Sequence, residues 1–297
     1  MVRCKNSFRS QLYVFLFFGL TLVLFFFSSC PVKKQSDEDE EKKSSPSADN
    51  IKESFYALFS KALDNLEFPE YISEKLLNEY ARNSVFINDL VTILKGDPHL
   101  WLLVDKRNSV GTDYEPHDLV SLKSESYRFV SRHELRQAAF DSLEEMAQAA
   151  ADEGLTLVVL SAFRSYFYQS RLYTNYVIMD GQTEADRVSA RPGFSQHQLG
   201  LAVDFNHLDN SLADTKEGMW LEKNASRFGW SNSYPDGYER LTGYSWESWH
   251  YRYVGKNLAK FIDDYFNGVQ QYALLFINEL TKIGLPEYWQ LVNINLF

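Results

Sequence analysis

The sequence predicts an α+β fold, a single mixed domain that carries helical extensions at both ends. Two observations point there. Apolar residues recur at helical spacing before residue 97 and again after Gly255. Between them lie short β-branched and aromatic runs, Leu201-Ala202-Val203 and the stretch from Trp249 to Val254, which read as strands.

Arg3, Lys5 and Arg9 precede an almost wholly apolar stretch over residues 12–27, followed by Ser28-Ser29-Cys30. Residues 1–30 are therefore expected to be a secretory signal peptide, with an uncleaved N-terminal anchor as the alternative. Phe27-Ser28-Ser29-Cys30 resembles a bacterial lipobox, with Phe27 where Leu is usual. On that reading Cys30 is lipidated and tethers the exported chain to a membrane. Residues 31–49 are charged and Ser-rich, without one aromatic side chain, and read as a flexible linker.

A helical extension over residues 50–97 follows. Asn50 is its expected cap, with Glu53 as capping-box partner. Ile51, Phe55, Leu58, Phe59 and Leu63 form one apolar face, and residues 71–95 continue the helical pattern. Leu102-Leu103-Val104 reads as a strand. Residues 134–152 read as an amphipathic helix carrying Leu135, Ala139, Leu143, Met146 and Ala150, with Gly154 just past its end. A buried strand is expected over residues 155–160, leading to Ser161 and Arg164, and then a helix over 166–179. The polar residues 180–191 read as a loop at a cleft rim. The mixed domain spans 98–258 and residues 259–297 form a C-terminal helical extension; the helical pattern begins after Gly255 with Leu258 and continues through Ile262, Tyr265, Phe266, Ala273, Leu274 and Ile277.

Composition narrows the chemistry. Cys4 and Cys30 are the only cysteines, so no thiolate metal site and no internal disulfide is expected in the mature chain. The formal charge of −10 becomes −13 when the three basic leader residues are lost. An excess of acid argues against nucleic acid as a partner.

The residues that carry chemistry cluster in two runs. One holds Ser195, His197, Gly200 and Asp204; the other holds Glu247, Trp249 and His250. Two imidazoles and a carboxylate make a three-ligand N/O shell with room for water, as a catalytic zinc site requires. Glu247 adds a second carboxylate beside the last ligand, a candidate base. Taken singly, either histidine is more often a structural residue than a ligand. The two strand candidates offer a way to bring the set together, although spacing alone does not prove that they meet.

Ser195-x-His197-x-x-Gly200-x-Ala202-x-Asp204 and Glu247-x-Trp249-His250-x-Arg252-Tyr253-Val254-Gly255 resemble the motifs of VanY-type D-alanyl-D-alanine carboxypeptidases, zinc peptidases of peptidoglycan. Ser161-Ala162-Phe163-Arg164-Ser165 with Gln169 resembles a further segment of that family, with Ala162 and Phe163 replacing the usual Gly and Tyr. The resemblance covers about residues 98–258. It implies a small antiparallel sheet with flanking helices, of the hedgehog/DD-peptidase type. It also implies Zn²⁺ held by His197, Asp204 and His250, with Glu247 as general base. Arg164 is the candidate for the substrate's terminal carboxylate, because a guanidinium can pair with it in two places. The resemblance adds substrate-binding roles for Ser195 and Gln169. The expected partner is a peptidoglycan stem peptide.

Three functions compete. The first removes the C-terminal D-alanine. The second applies the same zinc chemistry as an L,D-carboxypeptidase or endopeptidase. The third is a non-catalytic, tethered wall-binding lipoprotein, ranked last because every ligand and the base are present. His99, His117, His133 and His207 are given no role. Detergent partitioning and lipid labelling of the full chain test the tether: the wild type is expected in the detergent phase, and Cys30→Ser is expected to acquire no lipid. Recovery of an unmodified Cys30 in the mature protein would reject lipidation.

Overall fold

The computed structural model describes residues 48–123, 127–129 and 133–284. The expected signal peptide, Cys30, the expected linker up to Ser47 and residues 285–297 lie outside them. No helix among the described residues is long and apolar enough to cross a membrane.

The chain opens with three helices, α1 (Ala48–Asp64), α2 (Glu70–Arg82) and α3 (Ser84–Lys95). Helix α1 already includes Asn50, so Asn50 lies in its first turn and is not the expected cap. The helical run of residues 71–95 divides at Asn83. Its side-chain oxygen accepts from the amides of Val85 and Phe86, which caps α3 and turns the chain.

The segment Leu102-Leu103-Val104 is not a strand, contrary to the expectation from its three apolar residues. A side chain takes the Leu102 carbonyl and two carbonyls just before it instead. Nη2 of Arg252, wholly buried, donates to the carbonyls of His99, Leu100 and Leu102 at 3.4, 3.1 and 2.9 Å.

Strands β1 (Leu119–Ser121), β2 (Arg128–Phe129) and β3 (Glu134–Arg136) follow, then α4 (Gln137–Asp152). The expected helix over 134–152 is thus three residues too long. Leu135 fits the helical spacing, but Glu134–Arg136 pairs antiparallel with β1, Val120 opposite Leu135. Ala139, Leu143, Met146 and Ala150 are fully buried, as the amphipathic pattern requires.

Beyond α4 come β4 (Val158–Ser161), α5 (Tyr166–Asp180) and α6 (Gln182–Val188). Helix α6 replaces the loop expected over 180–191. Its polar sequence gives no apolar stripe, and it is fixed by side chains: Asp186 accepts from Tyr173 Oη at 2.7 Å and from two nitrogens of Arg191.

The remaining elements are β5 (Ala202–Phe205), α7 (Lys216–Asn224), β6 (Trp230–Asn232), α8 (Glu239–Thr242), β7 (His250–Tyr253), α9 (Lys256–Phe266) and α10 (Gln270–Lys282). The main sheet runs β2-β4-β5-β7-β6. It is antiparallel except at its edge, where β2 pairs parallel with β4. Strand β5 is central and buried along its whole length.

Two cores result. One joins α4, α7 and the sheet through Leu143, Met146, Val159, Val203, Phe205 and Trp230. The other gathers residues from both ends of the described chain: Phe55, Phe59 and Phe86 pack with Phe261, Phe266 and Phe276. Val254 and Leu258 belong to this second core, so the expected boundary at 258/259 cuts through α9. The N- and C-terminal extensions are therefore one helical body.

Phe59 meets the rings of Phe86 and Phe276 edge-on, at 5.9 and 5.3 Å. Phe59→Ala is expected to cost about 3–5 kcal/mol of stability, as large cavities do, measured by urea denaturation. A loss below about 1 kcal/mol would show that the ends do not share one cooperative core.

Candidate metal centre

The β5–β7 register builds the site. Asp204 is the cross-strand partner of His250, so their side chains rise from one face of the sheet. On the other side of β5, Ser161 is the register partner of Asp204, which brings the chain leading to Arg164 alongside.

His197 comes from a 3-10 turn over Gln196–Leu199, whose cap is Ser195: its Oγ accepts from the His197 amide at 3.3 Å. Gly200 ends the turn with φ +67°, a left-handed conformation. A Cβ there would also lie 2.9 Å from Leu119. The glycine therefore allows the turn to close directly onto β5.

His197, Asp204 and His250 are all buried, and one ligand atom from each lies within 4.8 Å of the others. The hydrogen-bond network assigns both tautomers. Nδ1 of His197 is 2.6 Å from the Ala162 carbonyl and must donate to it, which leaves Nε2 with a lone pair. That Nε2 is buried without a hydrogen-bond partner, 3.3 Å from Oδ1 of Asp204. The short distance is a contact between two acceptors rather than an ion pair.

For His250, Nε2 lies 3.2 Å from Oε1 of Gln196, which also accepts from Ser233 Oγ at 2.7 Å. Nε2 is thus the protonated nitrogen, and Nδ1 faces Asp204 Oδ1 at 3.0 Å. Three electron-pair donors from buried residues converge on one point. Such a set fits a divalent cation of borderline softness, Zn²⁺ above all, with hydrogen bonds behind each imidazole.

Electrostatics agree. Burial pushes His197 down to about 4, helped by the charge of Arg164, so the imidazole is neutral near pH 7. Burial would raise the Asp204 carboxyl, but His197 and Arg164 outweigh it and hold the group well below the carboxylate range. With His197 neutral, Arg164 is the standing positive charge. Burial and the charge of Asp204 push Glu247 up to about 8 against the pull of Arg164 and Lys106. A dication beside it would draw that carboxyl back toward the ionised, base-competent form. Glu247 Oε2 stands 3.7 Å from His250 Nδ1.

An open cavity of about 440 Å³ lies over this set, with Arg164, Ser195, His197, Asp204, Glu247 and His250 on its walls. Arg164 is already anchored, donating to Ser161 Oγ at 2.8 Å, Gln169 Oε1 at 3.3 Å and Asp204 Oδ2 at 2.5 Å. These engage three of its five N–H donors and leave two.

Gln169 departs from the expected substrate contact. It is fully buried, does not line the cavity, and bonds Arg164, Ser189 and the Ala190 carbonyl. It is a positioning residue for the guanidinium. Ser195 does line the cavity, while its hydroxyl serves the turn. Tyr168 and Trp249 line it as well. Tyr166 does not, and its ring instead meets Phe167 edge-on. His207 is exposed, away from the set.

Sequence reasoning missed His133, Tyr234 and Tyr244, which all line the cavity. Tyr234 packs against His250 with ring centroids 4.8 Å apart and the planes tilted by 37°. None carries a local signal, because none is near a ligand in sequence. Gln196, adjacent to His197, could have been found by asking what holds the second imidazole.

The family model described as "VanY: D-alanyl-D-alanine carboxypeptidase" matches residues 132–256. The chain is 33% identical over 201 residues to the putative carboxypeptidase YodJ of Bacillus subtilis, covering 63% of this chain and 73% of that protein. It is 31% identical over 176 residues to a D-alanyl-D-alanine carboxypeptidase of Enterococcus faecalis, covering 56% and 63%. Among solved structures, the LdcB LD-carboxypeptidase superimposes with a TM-score of 0.51 at 36% identity, covering 56% of this chain and 85% of that one. A vancomycin-resistance D,D-pentapeptidase VanY, solved in complex with Zn(II), gives 0.50 at 28% identity, covering 60% and 99%.

The purified protein is expected to hold about one Zn²⁺ per chain, measured by atomic absorption after dialysis. His197→Ala and His250→Ala should each lose the metal. Full occupancy in either variant would remove that histidine from the ligand set.

Proposed function

Because the chain belongs to the VanY D-alanyl-D-alanine carboxypeptidase family, we propose that it is a zinc peptidase of the cell envelope that removes the C-terminal D-alanine from peptidoglycan stem peptides. The observation that carries the reading is the convergence of His197 Nε2, Asp204 Oδ1 and His250 Nδ1, with Glu247 beside them. His197, Asp204 and His250 would hold the metal. When bound, zinc supplies Lewis acidity that polarises the scissile carbonyl and acidifies water.

The chain's own residues do the rest. Glu247 takes a proton from the attacking water and returns it to the leaving amine, a service worth about 10²–10⁴ in rate. Its burial keeps bulk water from competing for that proton. Arg164 uses its two remaining donors for the terminal carboxylate of the substrate, which selects a free C-terminus. Gln169 and Ser161 hold the guanidinium in place, so little side-chain entropy is lost on binding.

A second reading is removal of a D-residue from an L,D-bond. The likeness to the LdcB LD-carboxypeptidase, at higher identity than the VanY structure, favours keeping it. Export and lipidation at Cys30 belong to the same proposal and rest on the leader sequence.

Defined pentapeptide and tetrapeptide muropeptides, incubated with the protein and analysed by mass spectrometry, separate the readings. The pentapeptide is expected to lose one D-alanine. Cleavage of the tetrapeptide alone would move the assignment to the L,D-class. Glu247→Gln should retain zinc while turnover falls by at least about 10²; near wild-type turnover would end its role as base. Arg164→Ala should weaken chiefly the substrates with a free carboxylate and narrow their advantage over amidated ones. An unchanged ratio would assign the carboxylate to another residue.

A further inference from the structure

The family match ends at residue 256, yet the buried polar network of the site continues past it. Two consecutive glutamines, Gln270 and Gln271, open α10 and are almost wholly buried. Buried amides are costly unless bonded. Both are bonded, and the bond of Gln270 leads toward the metal centre.

Gln270 Nε2 donates to the Ser231 carbonyl at 3.2 Å, and its Oε1 lies 3.4 Å from Ser233 Oγ. Ser231 ends on β6 beside β7, and the Ser233 amide donates to the His250 carbonyl at 3.2 Å. The Ser233 hydroxyl has one proton, given to Gln196 Oε1 at the shorter distance of 2.7 Å. That oxygen also receives Nε2–H of His250. Between the two serines, Asn232 Nδ2 donates to the carbonyls of Glu247 and His250 at 2.8 and 3.3 Å. Gln271 fixes the helix start itself, donating to the buried Asp105 Oδ2 at 2.8 Å.

We propose that Gln270 is a positioning residue of the metal centre: by holding β6 at the Ser231 carbonyl it sets where Ser233 meets Gln196, and so the tautomer and tilt of His250, which makes the C-terminal helix α10 part of the active site. Partners behind a ligating imidazole fix the nitrogen presented to the metal and raise its basicity. Here the chain of partners ends on a helix from the other core.

The inference rests on the zinc reading, and its test separates the two. Zinc affinity of the full chain is measured by competition with a chromophoric chelator for the wild type, Gln270→Leu and Leu274→Ala, each with its melting temperature. Leu274, fully buried on the same helix, reports general loosening. Gln270→Leu is expected to bind zinc about 10–100-fold more weakly, and Leu274→Ala to melt lower while keeping wild-type affinity. If Gln270→Leu does not fold, Ser233→Ala breaks the relay one step on and should show the same loss. Wild-type affinity in Gln270→Leu, or in Ser233→Ala where that variant replaces it, overturns the relay. So does an equal loss in Leu274→Ala. A wild-type chain that binds no zinc defeats the zinc reading itself.

Discussion

Three electron-pair donors pressed together on buried residues repel one another, and this repulsion is the constraint around which the site is organised. Each imidazole has its proton drawn away to the far side, by the Ala162 carbonyl for His197 and by Gln196 for His250. Asp204 is kept ionised by Arg164. The strain is tolerable because β5 and β7 hold Asp204 opposite His250 by backbone pairing, which side chains cannot easily undo. A bound cation would convert the whole arrangement from a cost into a gain and would link binding to folding.

The scaffold serves the same end from a distance. Wholly buried Arg252 is satisfied in part by three carbonyls of the segment entering the mixed domain. It pins that segment to β7, the strand that carries His250. Burial lowers its pKa to about 10, so it is still charged near pH 7. The sheet that bears the ligands is thus braced on one side by a cation and on another by the helical body.

The four residues proposed for metal and base were legible because their signals are local. Asp204 follows His197 across one glycine-permitted turn, and Glu247 precedes His250 within a single turn of chain. Helix α4 was legible from its apolar face. The misses share a cause: tertiary partners replace local pattern. Leu102-Leu103-Val104 looks like a strand, but its segment gives carbonyls to Arg252. Leu135 fits a helix, but β1 claims it. Helix α6 has no apolar stripe to betray it, since Asp186 ties it down through polar bonds. Gln169 was assigned to substrate through the family resemblance, whereas its burial leaves it to Arg164, Ser189 and the Ala190 carbonyl.

The helical core is made from the first and last described helices, with the entire sheet domain between them in the chain. Closing it is a long-range event, and the entropy of bringing such distant segments together must be met before their contacts repay it. The order of assembly follows from this. The sheet can pair its strands while α1 to α3 still lack half of their core, because Phe59 and Phe86 do not meet Phe276 and Phe261 until α9 and α10 arrive. A chain threaded from its N-terminus therefore completes this body last, and exposes its largest phenylalanine surface up to that moment.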